Sequence, residues 1–125
     1  MLFDTDIFIW VQRGNRKATD LIDSSPERSL SVQSFMELLQ NAADKRQQRL
    51  AKQFIAEMGF IVLPLTENIG HRALIYVEEY GLGSGMRAGD ALIAATAVEN
   101  NLPLVTSNGK HFKAVKDLEV KIFKP

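Results

Sequence analysis

Cysteine is absent from this chain of 125 residues, which excludes disulfides and thiolate metal sites. Any metal would have to be held without sulfur, and a reducing, cytoplasmic setting is the expectation. A surplus of one charge is also missing: fifteen Lys and Arg stand against fifteen Asp and Glu, for a formal charge of zero. A nucleic-acid partner would therefore have to be met by a local basic patch. No apolar run approaches the roughly 18 residues of a membrane span, so no membrane partner is expected. Asp4 and Asp6 interrupt the N-terminal segment, which lacks the basic leader of a signal peptide. Repeats, low-complexity tracts and linkers are lacking too, and residues 1–125 read as a single domain large enough to bury a core.

What is there begins with Met1 to Val11, MLFDTDIFIWV. A segment this apolar is normally buried on both faces. Asp is depleted in strands, and burying an unpaired carboxylate costs several kcal/mol or forces it to take up a proton. Two carboxylates placed here call for a cation. Further along, apolar strands are expected at 1–4, 29–32, 60–63, 104–106 and 119–123. They alternate with helices at 15–23, 34–43, 45–58, 66–80 and 90–100. Residues 5–11 are compatible with either a helix or an extended strand. Gly81-Leu82-Gly83-Ser84-Gly85 reads as a flexible loop, because it lacks the preceding strand and following helix of a dinucleotide fingerprint. Alternating strands and helices point to an α/β fold with a mostly parallel sheet covered on both faces, whose sites lie beyond the carboxyl ends of the strands.

Asp4 ends the first strand, Glu37 lies in the helix after the second, and Asp90 opens a later helix. All three are expected on one edge of the sheet. An oxygen-only set suits Mg²⁺ or Mn²⁺, which keep several waters and bind through a few carboxylates. Each acid also has a purely structural explanation. Ser34-x-x-Glu37 has the form of a capping box, Asp90 follows Gly89 as a helix N-cap would, and Asp6 could cap a helix starting at Ile7. Asp4, set between apolar runs, is the hardest to explain this way. Thr106 could bond a phosphate or steady a carboxylate, and Asn108 could offer a carbonyl oxygen.

These segments carry a resemblance. Leu2-Phe3-Asp4-Thr5-Asp6, Ser34 to Leu38, Gly89-Asp90-Ala91-Leu92-Ile93-Ala94-Ala95-Thr96-Ala97, and Leu104-Val105-Thr106-Ser107-Asn108 with Phe112 resemble the PIN-domain ribonucleases. Among these they are most similar to the VapC-type toxins of type II toxin–antitoxin pairs. The resemblance implies a three-layer α/β/α sandwich and Mg²⁺- or Mn²⁺-dependent hydrolysis of RNA phosphodiesters. It also implies a homodimer and a small antitoxin that covers the acidic cleft. Asp4, Glu37 and Asp90 match the family's metal-binding acids, with Thr106, Asn108 and Asp6 in support. The family's frequent fourth acid is not matched, since Asn108 and His111 stand in that region; Asp117 lies downstream without a matching position.

RNA must also be gripped. Lys45, Arg49 and Lys52 recur along one helix face, with Arg46 nearby, and Arg87 precedes Asp90; these are the candidate phosphate contacts. Phe8 and Trp10 are expected in the core or facing a partner, and His71 at the surface or as a satisfied core side chain. Two rivals remain. A receiver-like signalling domain would need a phosphoacceptor Asp at a central strand end, which neither Ser29–Val32 nor Phe60–Pro64 supplies. A catalytically weak PIN-like binding module would be compatible with three acids instead of four.

Overall fold

The computed structural model describes Met1–Pro125. Five short strands, β1 (Leu2–Phe3), β2 (Ser29–Ser31), β3 (Ile61–Leu63), β4 (Leu104–Thr106) and β5 (Val120–Ile122), form one sheet in the order β3-β2-β1-β4-β5. Every pairing is parallel. The chain steps outward from β1 to β2 and β3, then returns to β1 and lays β4 and β5 on its other side. The connections reverse direction beside β1, and a crevice opens there beyond the carboxyl ends of β1 and β4.

Six helices cover the two faces: α1 (Thr5–Gln12), α2 (Arg16–Ser24), α3 (Val32–Asn41), α4 (Lys45–Glu57), α5 (Glu67–Ser84) and α6 (Ala88–Glu99). Alternation along the strands decides which side chain faces which layer. Leu2 and Leu104 join Ile69, Ala73, Tyr76 and the small residues of α6 on one side. Phe3, Leu30 and Val105 join Phe8, Ile22, Ile55 and Phe60 on the other. The result is the expected three-layer α/β/α sandwich. The rings of Phe3, Phe8, Phe54 and Phe60 meet edge-on or tilted, with centroids 5.0–6.4 Å apart. The run Ala91, Ala94, Ala95 and Ala97 is buried, and such small side chains let α6 lie close to the sheet and to α5.

Several local expectations are corrected. Residues 5–11, open between strand and helix, are helical, with Asp4 as the N-cap of α1 accepting from the Thr5 amide at 2.8 Å; Asp6 therefore lies inside the first turn and caps nothing. α3 starts at Val32 under Ser31, whose hydroxyl accepts from the Gln33 amide. Glu37 accordingly sits in its second turn and forms no capping box with Ser34. The N-cap of α6 is Arg87, and Asp90 is the third helical residue, its Oδ2 accepting from the Arg87 amide at 3.2 Å.

The glycine-rich stretch is no loop: α5 runs through Gly81 and Gly83 to Ser84 and stops at Gly85, in the left-handed conformation with φ 73°. Packing overrides the low helix propensity of glycine here. A Cβ at Gly81 would meet the Met86 carbonyl at 3.6 Å, an ordinary contact, so the turn into α6 passes directly over this residue.

Candidate metal centre

The crevice beyond β1 and β4 is a cleft of about 680 Å³ lined almost wholly by polar groups, among them Asp4, Asp6, Glu37, Asp90, Asn108 and Thr5. Four carboxylates from three helix N-terminal regions and one strand end thus share one opening. Gln40 and Asn41 from the end of α3 complete its far wall.

Asp4 is the deepest of the four, 7% exposed. Its Oδ1 accepts from the Thr5 amide, and its Oδ2 from the Thr106 hydroxyl at 2.7 Å. Burial pushes its carboxyl up to about 7, the charges of Asp6 and Asp90 push the same way, and the two hydrogen bonds oppose them. Such a group is uncomfortable as an anion until positive charge arrives.

Asp6 serves chiefly as a clamp. Its Oδ2 accepts from the Ser107 amide at 2.9 Å, from the Ser107 hydroxyl and from the Thr106 hydroxyl at 3.3 Å. Its Oδ1 is buried with no partner. Ser107 also accepts from the Trp10 indole N–H at 3.2 Å, so α1 is fastened to the end of β4 by side chains.

Glu37 Oε1 accepts from the Thr5 hydroxyl, and Oε2 takes only a long bond from the Gln33 amide at 3.4 Å. The backbone of Gly89 closes the approach from α6: a Cβ there would stand 3.0 Å from Glu37 Oε2 and 3.2 Å from Gln33 Nε2. Asp90 Oδ2 lies 3.1 Å from His111 Nδ1, and Asn108 Nδ2 lies 3.2 Å from the same nitrogen. Asn108 therefore engages His111, and its side chain bonds none of the four carboxylates.

The family model of PIN domains matches residues 1–118. This chain is a PIN domain. The VapC ribonuclease Mb0625 of Mycobacterium bovis is 30% identical over 115 residues, covering 84% of this chain and 86% of that protein, which sets this PIN domain among the VapC proteins. A toxin–antitoxin complex from Klebsiella pneumoniae contains a chain with TM-score 0.79 and 27% identity, covering 94% of this chain and 93% of its own length. A DNA-bound VapBC from Salmonella typhimurium shares the fold at TM-score 0.81 with 18% identity, over 97% of this PIN domain and 96% of that chain.

The residues of the PIN domain suit a hard divalent cation by three observations. The donors are oxygens, Asp4 is a buried acid held short of full ionisation, and Asp6 Oδ1 is buried without a partner. No three His, Asp or Glu side chains converge tightly enough to enclose an ion by themselves.

The structure brings Asp4, Asp6, Glu37, Asp90 and Asn108 together at one cleft, with Thr106 behind Asp4, whereas Thr5, Gln33, Ser107 and the Asp90–His111 contact were not foreseen from the sequence. Thr5 and Ser107 carried a signal, being hydroxyl residues directly beside candidate acids or their supports. Gln33 did not stand out from any other helical glutamine. Lys45, Arg49 and Lys52 are exposed on α4 and line no part of the cleft. Arg87 is exposed at the start of α6, three residues from Asp90. Asp117 is remote from the cleft, held by Arg72 at 2.8 Å and the Tyr76 hydroxyl at 3.0 Å. His71, open between surface and core, is at the surface.

Proposed function

We propose that this PIN domain is a metal-dependent endoribonuclease acting as the toxin of a toxin–antitoxin pair. The observation that carries the reading is the buried Asp4, held by Thr5 and Thr106 and opening on a cleft with three further carboxylates. Asp4, Asp90 and Glu37 would hold Mg²⁺ or Mn²⁺. Bound there, the cation would neutralise the scissile phosphate and lower the pKa of water. The chain's own part is to present these acids in fixed positions. Thr106 and Thr5 hold Asp4, and Thr5 also holds Glu37 Oε1, which leaves Oε2 the freer oxygen to take the proton of an attacking water. Asp6 fixes Thr106 and Ser107 in turn.

An antitoxin partner is supported by the K. pneumoniae toxin–antitoxin complex. Its seat is an apolar groove of about 340 Å³ lined by Phe8, Val11, Leu38, Leu50, Phe54 and Ile55. α1 and α3 wall both groove and cleft, since Ile9, Glu37 and Gln40 face the cleft while Phe8, Val11 and Leu38 face the groove. A helix seated in the groove can therefore send a basic side chain into the acids. Self-association is supported by apolar side chains left uncovered on α5, with Leu74 59% and Leu82 fully exposed. Sizing by light scattering, with and without an antitoxin, tests both assemblies.

The deciding experiment incubates purified protein with RNA in Mg²⁺, in Mn²⁺ and in EDTA, beside Asp4→Asn and Glu37→Gln. Cleavage is expected in the metals and not in EDTA, and in neither variant. Cleavage that survives EDTA or Asp4→Asn sinks the mechanism. The alternative, a binding module without catalysis, is favoured by the neutral Asn108 and by the open coordination. RNA binding without new RNA ends would establish it.

A further inference from the structure

Three exposed lysines without a salt bridge lie just past the carboxyl ends of β4 and β5, on the side of the sheet where the cleft opens. Lys110 lies in the short 3₁₀ turn Gly109–His111, directly after Asn108, which lines the cleft, and beside His111, which touches Asp90. Lys113 follows one turn later, its amide bonded to the Gly109 carbonyl at 3.0 Å and its Cε 3.8 Å from where a Gly109 Cβ would be. Lys124 comes just past β5. The preceding amide, of Phe123, donates to the Thr106 carbonyl at 2.8 Å, so Lys124 emerges at the same sheet edge as Thr106. All three are exposed, and none takes part in a salt bridge.

The acids nearest in sequence are otherwise engaged. Asp90 faces His111, Asp117 is held by Arg72 and Tyr76, and Glu119 stands before β5, at the opposite end of that strand. Lys116 and Lys121 do not belong to this group. Lys116 adjoins Asp117 on the α5 side, and Lys121 projects from the other face of β5, near enough to the Met1 amine to lower its pKa.

This edge is also rigid. A Cβ at Gly109 would run into Ile122 Cδ1, so the 3₁₀ turn rests directly on the edge strand and carries Lys110 and Lys113 with it. Phe112, fully buried, pins the turn from below. Exposed lysines beside an acidic cleft, in a chain of zero net charge, suit a polyanion whose one phosphate enters the cleft while its neighbours remain outside.

Resting on the nuclease reading above, we infer that Lys110, Lys113 and Lys124 form the track on which the RNA backbone lies as it enters the cleft, in place of the α4 stripe. The track is indifferent to base identity, since lysine meets phosphate as a point charge.

The test measures binding of a labelled single-stranded RNA in EDTA across a range of salt concentrations. It compares wild type, a triple variant (Lys110→Gln, Lys113→Gln, Lys124→Gln), and a control variant of Lys45, Arg49 and Lys52, each to Gln. Each phosphate contact on a single strand contributes about 0.7 to the slope of log K against log salt, so the triple variant should flatten the slope by about 2. The control should leave it unchanged. RNA cleavage by the wild type in Mg²⁺ runs in parallel. If wild type cleaves and the triple variant keeps the wild-type slope, the track is refuted and the nuclease reading stands. If wild type neither binds nor cleaves RNA, both fail. An unchanged RNA slope with weakened capture of an acidic antitoxin peptide would overturn the assignment in favour of a protein partner.

Discussion

Replacing Asp4 by Asn removes a buried negative charge without removing the shape that holds it. The carboxyl of Asp4 is raised from 3.8 to about 7, with burial as the largest cause. A carboxyl whose folded-state pKa exceeds its unfolded value keeps its proton in the folded chain between those two pH values. Raising pH through that window therefore withdraws stability from the metal-free fold, and above about pH 7 the withdrawal is complete. Converted at 1.36 kcal/mol per tenfold, the difference amounts to roughly 4 kcal/mol.

The asparagine of the Asp4→Asn variant would be uncharged at every pH. Its amide oxygen can accept from the Thr5 amide, and its amide nitrogen can donate to the Thr106 hydroxyl, which then turns its proton toward Asp6 Oδ2 at 3.3 Å. The stability advantage of the variant over wild type should therefore grow by about 2–4 kcal/mol between pH 4 and pH 8 in EDTA, measured by urea denaturation. Taking the difference between the two proteins cancels the titration of groups remote from Asp4.

Divalent metal supplies the converse. At a hundred times its Kd, Mg²⁺ should stabilise wild type by about 2.7 kcal/mol at pH 8, and the Asp4→Asn variant far less. A pH-independent difference between the proteins, or equal stabilisation of both by Mg²⁺, would refute the assignment of Asp4 as a buried acid awaiting a cation.

Other expectations are simpler. Gly89→Ala should favour α6 by up to about 1 kcal/mol through helix propensity, yet displace Glu37 and cut RNA cleavage by about 100-fold; melting curves and initial rates read the two effects separately. Leu50→Asp, at a half-exposed position of the apolar groove, should leave melting and cleavage within error of wild type while weakening antitoxin capture in a pull-down titration. Arg72→Met removes the ion pairs to Glu99 and Asp117, which are partly open to solvent, so the loss should stay near about 1–2 kcal/mol in urea, with cleavage per folded molecule unchanged.

The layered architecture was legible because strand and helix alternate in composition as plainly as they do in space, from Leu30 between two serines to the alanine run of α6. Asp4 stood out for the same reason, as a charge in a segment otherwise apolar. What escaped was set by tertiary contact. Ser34 and Glu37 have the spacing of a capping box, but Ser31 takes the cap because β2 ends one residue earlier than its apolar run suggests. Gly81 and Gly83 read as breakers, yet α5 packs along α6 and keeps them helical. The basic stripe on α4 does form one face, but nothing in the sequence told which way that face would turn. The Asp90–His111 contact joins residues that only the return of the chain beside β1 brings together.

That return has a consequence in time. Asp4 leaves the ribosome 102 residues ahead of Thr106, whose hydroxyl holds it. β1 is two residues long and sits mid-sheet, so it has no stable place until β4 arrives on its second side. A nascent chain can assemble β2, β3 and their helices beforehand, but its cleft stays incomplete until β4 has been made. On the ribonuclease reading proposed above, the chain would hold no complete acidic cleft until Thr106 has been made.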